Sequence, residues 1–376
     1  MTDASELLAR ATEFAEQVIT PNVDRWESDR HFPRDIFAIA AQAGLTAIEV
    51  PDGFGGLGRP FSVKAAVAEV LGTADYGLAM AILNTQNVAV KIARDAPCAV
   101  ADRYVPDLVA GKRLGCTALT EPGAGSDFAA ISTSAVRDGD NWILTGEKTW
   151  IINAAAADTV VLYAQTEPEL GGKGIAAFLI DGQRDGFERL PPFDVAGEYT
   201  IGAGGFRLDG YRAHAEELLQ SPGEAFKSAL GSINGARIYV AAICCGMVSA
   251  CLDAAARYGR ERHTFGQRLV DHQGWRWSLA EAETDLAAAR LLVRDAAACI
   301  DAGAPAMTEA ARTKIFATRM ATRHIPALAQ LMGAEGLQAK YPFGRHQIGA
   351  RMASFTDGAT EMLLERLSAA YRKTEV

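Results

Sequence analysis

The sequence predicts a mainly α protein: an N-terminal helical domain, a middle antiparallel β-barrel or sandwich, and a C-terminal four-helix bundle. Three observations carry this reading. Apolar residues recur at helical spacing through residues 1–115. Across 116–222 the pattern changes to short alternating or apolar runs separated by Gly, Asp and Asn. From 223 to 376 long Ala-rich stretches return with few breaks.

In the first region the spacing predicts helices over 5–18, 34–43, 61–71, 77–96 and 99–110, punctuated by Pro51, Gly53, the Gly55-Gly56-Leu57-Gly58 cluster and Pro97. Ser62, just after Pro60, has the composition of a helix N-cap. In the middle region the runs 132–136 and 142–145 flank the turn Asp138-Gly139-Asp140-Asn141, and further strands are expected at 159–165, 175–180 and 206–208. The last region reads as helices over 226–260, 273–301, 308–332 and 358–371, broken at Gly266, at Gly303 with Pro305, and at 333–336. Four long helices with short connections pack most simply as a bundle.

Composition narrows the function. A net charge of −9 over 376 residues argues against a nucleic-acid binder, which would carry a basic face. No apolar run approaches the roughly 20 residues needed to span a bilayer. Asp3 and Glu6 come early and no basic segment precedes an apolar core, so the N-terminus reads as a first helix and the expected location is cytoplasmic. The six cysteines form no CxxC pair and the six histidines no HxxxH or HExxH pair, so no metal site is expected.

The densest chemical signal is Leu119-Thr120-Glu121-Pro122-Gly123-Ala124-Gly125-Ser126-Asp127. Glycines let backbone N–H groups approach a ligand, and the Thr120 and Ser126 hydroxyls can bond to its oxygens. A plain tight turn uses the same residue types. No GxGxxG follows a strand, which excludes a dinucleotide fold of that kind, and Gly146-Glu147-Lys148-Thr149 lacks the upstream glycine of a P-loop.

The 119–127 run, taken with Gly146-Glu147-Lys148-Thr149-Trp150-Ile151-Ile152-Asn153-Ala154, closely resembles the acyl-CoA dehydrogenase family. The resemblance continues at Glu261-Arg262-His263-Thr264-Phe265-Gly266-Gln267, at Asp271-His272-Gln273, at Gln330-Leu331-Met332-Gly333 and in the turn from Pro51 to Gly58. It implies FAD as cofactor. Leu119, Thr120, Gly125 and Ser126 would meet the flavin, with Ser126 also near substrate, and Ile152 stands where a threonine commonly bonds flavin N5. Trp150 would cover one face of the ring, a role that suits a broad aromatic. Arg262, Thr264, Phe265, His272, Gln330 and Gly333 would reach the FAD of a neighbouring subunit, with Arg262 suited to a pyrophosphate. That sharing implies a homodimer or homotetramer. An electron-transferring flavoprotein is the implied electron acceptor.

The resemblance also implies a carboxylate that removes the α-proton of an acyl thioester while flavin N5 accepts hydride from the β-carbon. Asp357 occupies the position where the family usually carries glutamate, and the family's other base position is Ala236 beside Arg237. A helix N-cap is the ordinary alternative for Asp357. Asn234 and Arg237 are the implied substrate contacts. Departures from the family pattern gather here: Thr356 for a tyrosine, Ala359 for a threonine, Ala334 for a glycine, and Ile348-Gly349 for an Arg-Asp pair. The leading expectation is α,β-dehydrogenation of an acyl-CoA or acyl-carrier-protein thioester. Two alternatives stand beside it. One is a nitroalkane-oxidase-type flavin oxidase, which also uses an aspartate but pairs it with an arginine where this chain has Leu364. The other is a catalytically weak flavin-binding homologue.

Overall fold

The computed structural model describes residues 3–372. Its first part holds helices α1 (Ala4–Phe14), α2 (Val23–Ser28), α3 (Ile36–Gln42), α4 (Phe61–Gly72), α5 (Tyr76–Asp95) and α6 (Cys98–Val109). The first helix continues as a wider turn over Ala15–Ile19, so its apolar residues Leu7, Ala11, Phe14 and Ile19 all face inward. Helix α4 starts directly after Pro60, which has an extended backbone. Ser62 is therefore not the cap but a residue of the first turn, and its N–H donates to the Asp301 carboxylate at 3.2 Å. Pro60 takes the cap position because a proline carbonyl can accept the first helical bond while its missing N–H is not needed there.

Strands β1 (Gly115–Ala118), β2 (Ser134–Asp138), β3 (Asn141–Ile151), β4 (Thr159–Gln165), β5 (Ile175–Asp181), β6 (Phe187–Arg189), β7 (Gly204–His214) and β8 (Leu218–Gln220) form one sheet in the order β6-β7-β3-β2-β4-β5-β8, with β1 added beside β4. Most pairs are antiparallel, but β1 and β2 each run parallel to β4. β3 and β7 are longer than the expected runs 142–145 and 206–208. The extra residues include Gly146, Glu147 and Lys148, which polarity alone marks as loop. Cross-strand pairing of Glu147 with Arg207 and of Lys148 with Phe206 keeps them in the sheet.

The last part holds α7 (Ala225–Glu261), a two-stranded hairpin of β9 (His263–Thr264) and β10 (Gln267–Arg268), then α8 (Gln273–Asp301), α9 (Met307–Leu331), α10 (Phe343–Phe355) and α11 (Thr360–Ser368). Contrary to the expectation that no apolar run is long enough to span a bilayer, helix α7 is so by length and composition, but 78% of its most apolar window is buried inside the protein. It is the central helix of the largest core, where Val240, Ile243 and Met247 pack with Leu78, Met320 and Phe343. Helix α10 carries no clear apolar periodicity, because its buried face of Phe343, His346, Gly349, Ala350 and Ala353 is weakly apolar and Ile348, Met352 and Phe355 sit on the other side.

Glycines set how closely α7 approaches α4. A Cβ on Gly246 would lie 2.0 Å from the Glu69 carbonyl oxygen, and one on Gly72 would lie 2.5 Å from that of Ile243. Gly246→Ala is therefore expected to overpack this crossing and cost about 1–3 kcal/mol. Urea unfolding would read this as a lower midpoint at unchanged slope, and an unchanged midpoint would contradict the close packing.

Candidate active site

The glycine-rich loop is fixed by a buried ion pair that the motif itself conceals. Lys148 of β3 reaches Glu121 at 2.8 Å and the Leu119 carbonyl at 2.9 Å, with both side chains almost fully buried. Glu121 also accepts from Ser132 N–H, the Ser132 hydroxyl and Thr133 N–H at 2.6, 2.8 and 2.9 Å. Burial alone would raise the Glu121 pKa, but Lys148 and these donors outweigh it and hold the carboxyl down at about 2. Burial pulls Lys148 down to about 8 even though Glu121 acts the other way. Thus Lys148 is spent on structure, consistent with setting aside a P-loop.

Held this way, the loop turns Gly123, Gly125 and Ser126 outward. Glu121 and Ala124 exchange both backbone hydrogen bonds, at 2.9 and 3.1 Å, closing a tight turn around Pro122 and Gly123. A Cβ at Gly123 would meet nothing within 4 Å, and one at Gly125 only Thr120 Cγ2 at 4.0 Å. Gly125 and Ser126 are exposed, while Leu119 and Thr120 are half-buried. Thr149 N–H donates to the Thr120 carbonyl at 3.0 Å, which sets the loop beside the end of β3. There Trp150 takes a left-handed backbone with φ 55° at an irregularity in the β3–β7 pairing. Its ring is 60% exposed and rests against Phe193, with 4.3 Å between centroids. Trp150 is thus a large aromatic held in a costly backbone and turned to solvent. Ile152 is half-buried against the main core, and Asn153 next to it bonds the Ala81 and Gly115 carbonyls at 2.8 and 2.9 Å. Leu119, Thr120, Gly125, Ser126, Trp150 and Ile152 thus form one group.

Arg262, Thr264, Phe265, His272, Gln330 and Gly333 form a second. The His272 ring is within 3.2 Å of the Thr264 hydroxyl and 3.0 Å of Gln267 Nε2, which braces the β9–β10 hairpin. Although His272 sits at the start of α8, its side chain caps nothing. Trp275 N–H donates to the Leu331 carbonyl at 3.1 Å, tying the start of α8 to the end of α9, where Gln330 and Gly333 lie. Arg262 and Gln330 are exposed, Gly333 has φ 62° in open space, and Phe265 is 98% exposed with φ 50°. Phe265 is thus an aromatic held out in solvent by a strained backbone. The residues of both groups fit a large planar cofactor with phosphates. Open glycine backbone, an exposed indole and an exposed guanidinium are the contacts such a molecule takes.

The third group surrounds Asp357. Asp357 and Gly358 have φ 55° and 103°, so α11 begins only at Thr360, with Ala359 as its cap. Asp357 is therefore not a helix cap, and the expected helix over 358–371 starts two residues late. Thr356 accepts a bond from the Tyr76 hydroxyl at 3.0 Å. Arg237 Nε donates to the Asp357 carbonyl at 2.9 Å, and Arg237 Nη1 to the Asn234 side-chain oxygen at 2.8 Å. Lys314, fully buried on α9, donates to the carbonyls of both Thr356 and Gly358. The carboxylate is left out of this grip: Oδ2 is buried with no hydrogen-bond partner. Burial raises the Asp357 pKa, and Lys314 and Arg237 partly oppose it. Burial likewise lowers Lys314 to about 8 and Arg237 to about 10.

Reading the sequence missed Lys314, Lys148, Glu121 and Tyr76 as parts of this site. Lys314 offers one signal, a lone lysine among the inward-facing positions Ala311, Ile315 and Thr318 of an amphipathic helix. Near Asp357, Tyr239 receives a bond from Asn87 at 3.1 Å, and Asn87 in turn meets Lys64, which pairs with Glu49 at 2.5 Å. Among the described residues no group of His, Cys, Asp and Glu side chains could hold a metal ion.

The whole chain is similar to known proteins. Models of the N-terminal, middle and C-terminal domains of acyl-CoA dehydrogenase match residues 2–112, 116–210 and 223–371. A 3-(aryl)acrylate reductase of Clostridium sporogenes is 31% identical over 96% of both chains. The mitochondrial short-chain specific acyl-CoA dehydrogenase of Bos taurus is 32% identical over 93% of this chain and 85% of its own. The structure of butyryl-CoA dehydrogenase from Megasphaera elsdenii superposes with a TM-score of 0.95 at 29% identity, covering 99% of each chain. With all three domain models matched in order, the chain belongs to the acyl-CoA dehydrogenase family, oxidoreductases that act on CH–CH donors.

Proposed function

We propose that this chain oxidises an acyl thioester between its α and β carbons, with Asp357 as the base that takes the α-proton. The observation that carries the proposal is the Asp357 carboxylate, which has a buried, unpartnered oxygen on a backbone pinned by two cations. A buried acceptor without a donor is costly, and a substrate C–H that becomes a transferred proton gives it a use. Burial makes this carboxylate a stronger base than one in water. When bound, FAD supplies the acceptor for the β-hydride. Leu119, Thr120, Gly125, Ser126 and Trp150 would hold it within one subunit, and Arg262, Thr264, Phe265, His272, Gln330 and Gly333 would hold it from a second. The exposed Phe265 supports that shared, homodimeric or homotetrameric arrangement. Ser126, Asn234 and Arg237 are the proposed contacts near the thioester. Arg237 acts mainly through the backbone of the base. An electron-transferring flavoprotein is the proposed acceptor partner, and the cytoplasm the proposed location.

The aspartate also suits a nitroalkane oxidase, but the position two turns beyond it is Leu364, and Arg237 grips its backbone instead. Acyl-CoA-dependent reduction of an artificial electron acceptor tests the proposal. Turnover should fall as pH drops through a pKa above the ordinary carboxylate value of about 3.9, because only ionised Asp357 can accept the proton. Oxygen uptake with nitroalkanes and none of this turnover would overturn it.

A further inference from the structure

The base turn is held in an unusual way. The carbonyls of Thr356, Asp357 and Gly358 are consecutive, and each accepts from a buried cation: Lys314 takes the first and third, Arg237 the second. Neither cation comes from the turn's own helix, since Lys314 sits on α9 and Arg237 on α7. Gly358 leaves room for this, because a Cβ there would lie 3.2 Å from an Arg237 guanidinium nitrogen. The grip falls where the backbone needs it, as a non-glycine residue in the left-handed region persists only when its surroundings fix it.

The geometry points to Lys314 as the positioning residue of this site. It clamps the backbone on both sides of Asp357 so that the carboxylate stays free for substrate, and its charge favours the ionised, proton-accepting form. Charge and clamp are separable, because the ammonium bonds carbonyls while acting on the carboxylate only through the field. The other groups acting on this assembly are Tyr76 from α5, Tyr239, Arg237 and Cys244 from α7, and Arg366 from α11. The two tyrosines and the cysteine are neutral near pH 7, since burial raises all three. Arg366 acts on Arg237 and not on the carboxylate. Lys314 and Arg237 are therefore the charges that counter burial at Asp357.

This inference rests on Asp357 as the base, and its test is chosen so that the two can fail separately. The carboxyl C=O stretch of Asp357, assigned by its loss in Asp357→Asn, is titrated by infrared spectroscopy in the FAD-loaded wild type, in Lys314→Gln and in Lys314→Arg. Glutamine keeps N–H donors without charge, and arginine keeps the charge with a different fork. The expected result is a midpoint raised by about one unit or more in Lys314→Gln and unchanged within about half a unit in Lys314→Arg. Lys314→Gln should also slow acyl-CoA oxidation at least about tenfold at neutral pH, with recovery as pH rises. A Lys314→Gln midpoint that matches wild type overturns the inference. So does a raised midpoint in Lys314→Arg, which decides alone if the glutamine variant does not fold. If Asp357→Asn leaves acyl-CoA oxidation intact, the base assignment fails while the midpoint shift still reports on Lys314.

Discussion

Asp357→Asn is expected to reduce acyl-CoA-dependent turnover by on the order of 10²–10⁴-fold, the range that a positioned general base contributes, while FAD binding persists. The substitution is close to isosteric, and asparagine tolerates the left-handed backbone that Asp357 adopts at φ 55°. The bonds from Arg237 and Lys314 go to the carbonyls of residues 356–358, so they survive the change. What is lost is the ability to accept a proton at the buried, unpartnered Oδ2. Rapid-mixing reduction of the bound flavin would separate this loss from slow product release. A variant that turns over at the wild-type rate would show that the proton leaves by another route.

Lys148→Met is expected to destabilise the fold by on the order of 3–5 kcal/mol, because it strands the Glu121 carboxylate in a dry site. The pair is buried on both sides and also anchors the Leu119 carbonyl, so the glycine-rich loop should loosen and FAD affinity should fall. The pH dependence follows from Glu121. Its folded pKa of about 2 lies below the unfolded carboxylate value of about 4.3. The pair's contribution is therefore fully present from the unfolded carboxylate value up to the region near 8 where buried Lys148 gives up its proton, and it fades as pH falls toward the folded Glu121 value. Urea midpoints for wild type and Lys148→Met should converge across that acid window. Equal midpoints at neutral pH would mean that the loop is held by its backbone bonds alone.

The order of helices, strands and helices was legible because periodicities of 3.6 and 2 survive wherever one face is buried. Helix α10 was not, since its buried stripe of His346, Gly349, Ala350 and Ala353 is weakly apolar, while Ile348, Met352 and Phe355 lie on the other side. The β3 extension through Glu147 and Lys148 was hidden by charge, because the sequence does not display the cross-strand partner that makes charge tolerable there. The same cause hid the two buried lysines of the site. Lys148 and Lys314 read as surface residues until Glu121 and the carbonyls around Asp357 are seen against them. Asp357 itself was accessible through its motif, whereas its left-handed backbone was foreshadowed only by the glycine that follows.

The most direct measurement is an anaerobic titration of the FAD-loaded protein with a panel of acyl-CoA and acyl-carrier-protein thioesters, following the visible absorbance of the flavin. Prompt bleaching by at least one member, abolished in Asp357→Asn, is the predicted result. An oxidised spectrum that no thioester changes would contradict the assignment of this chain as an acyl thioester dehydrogenase.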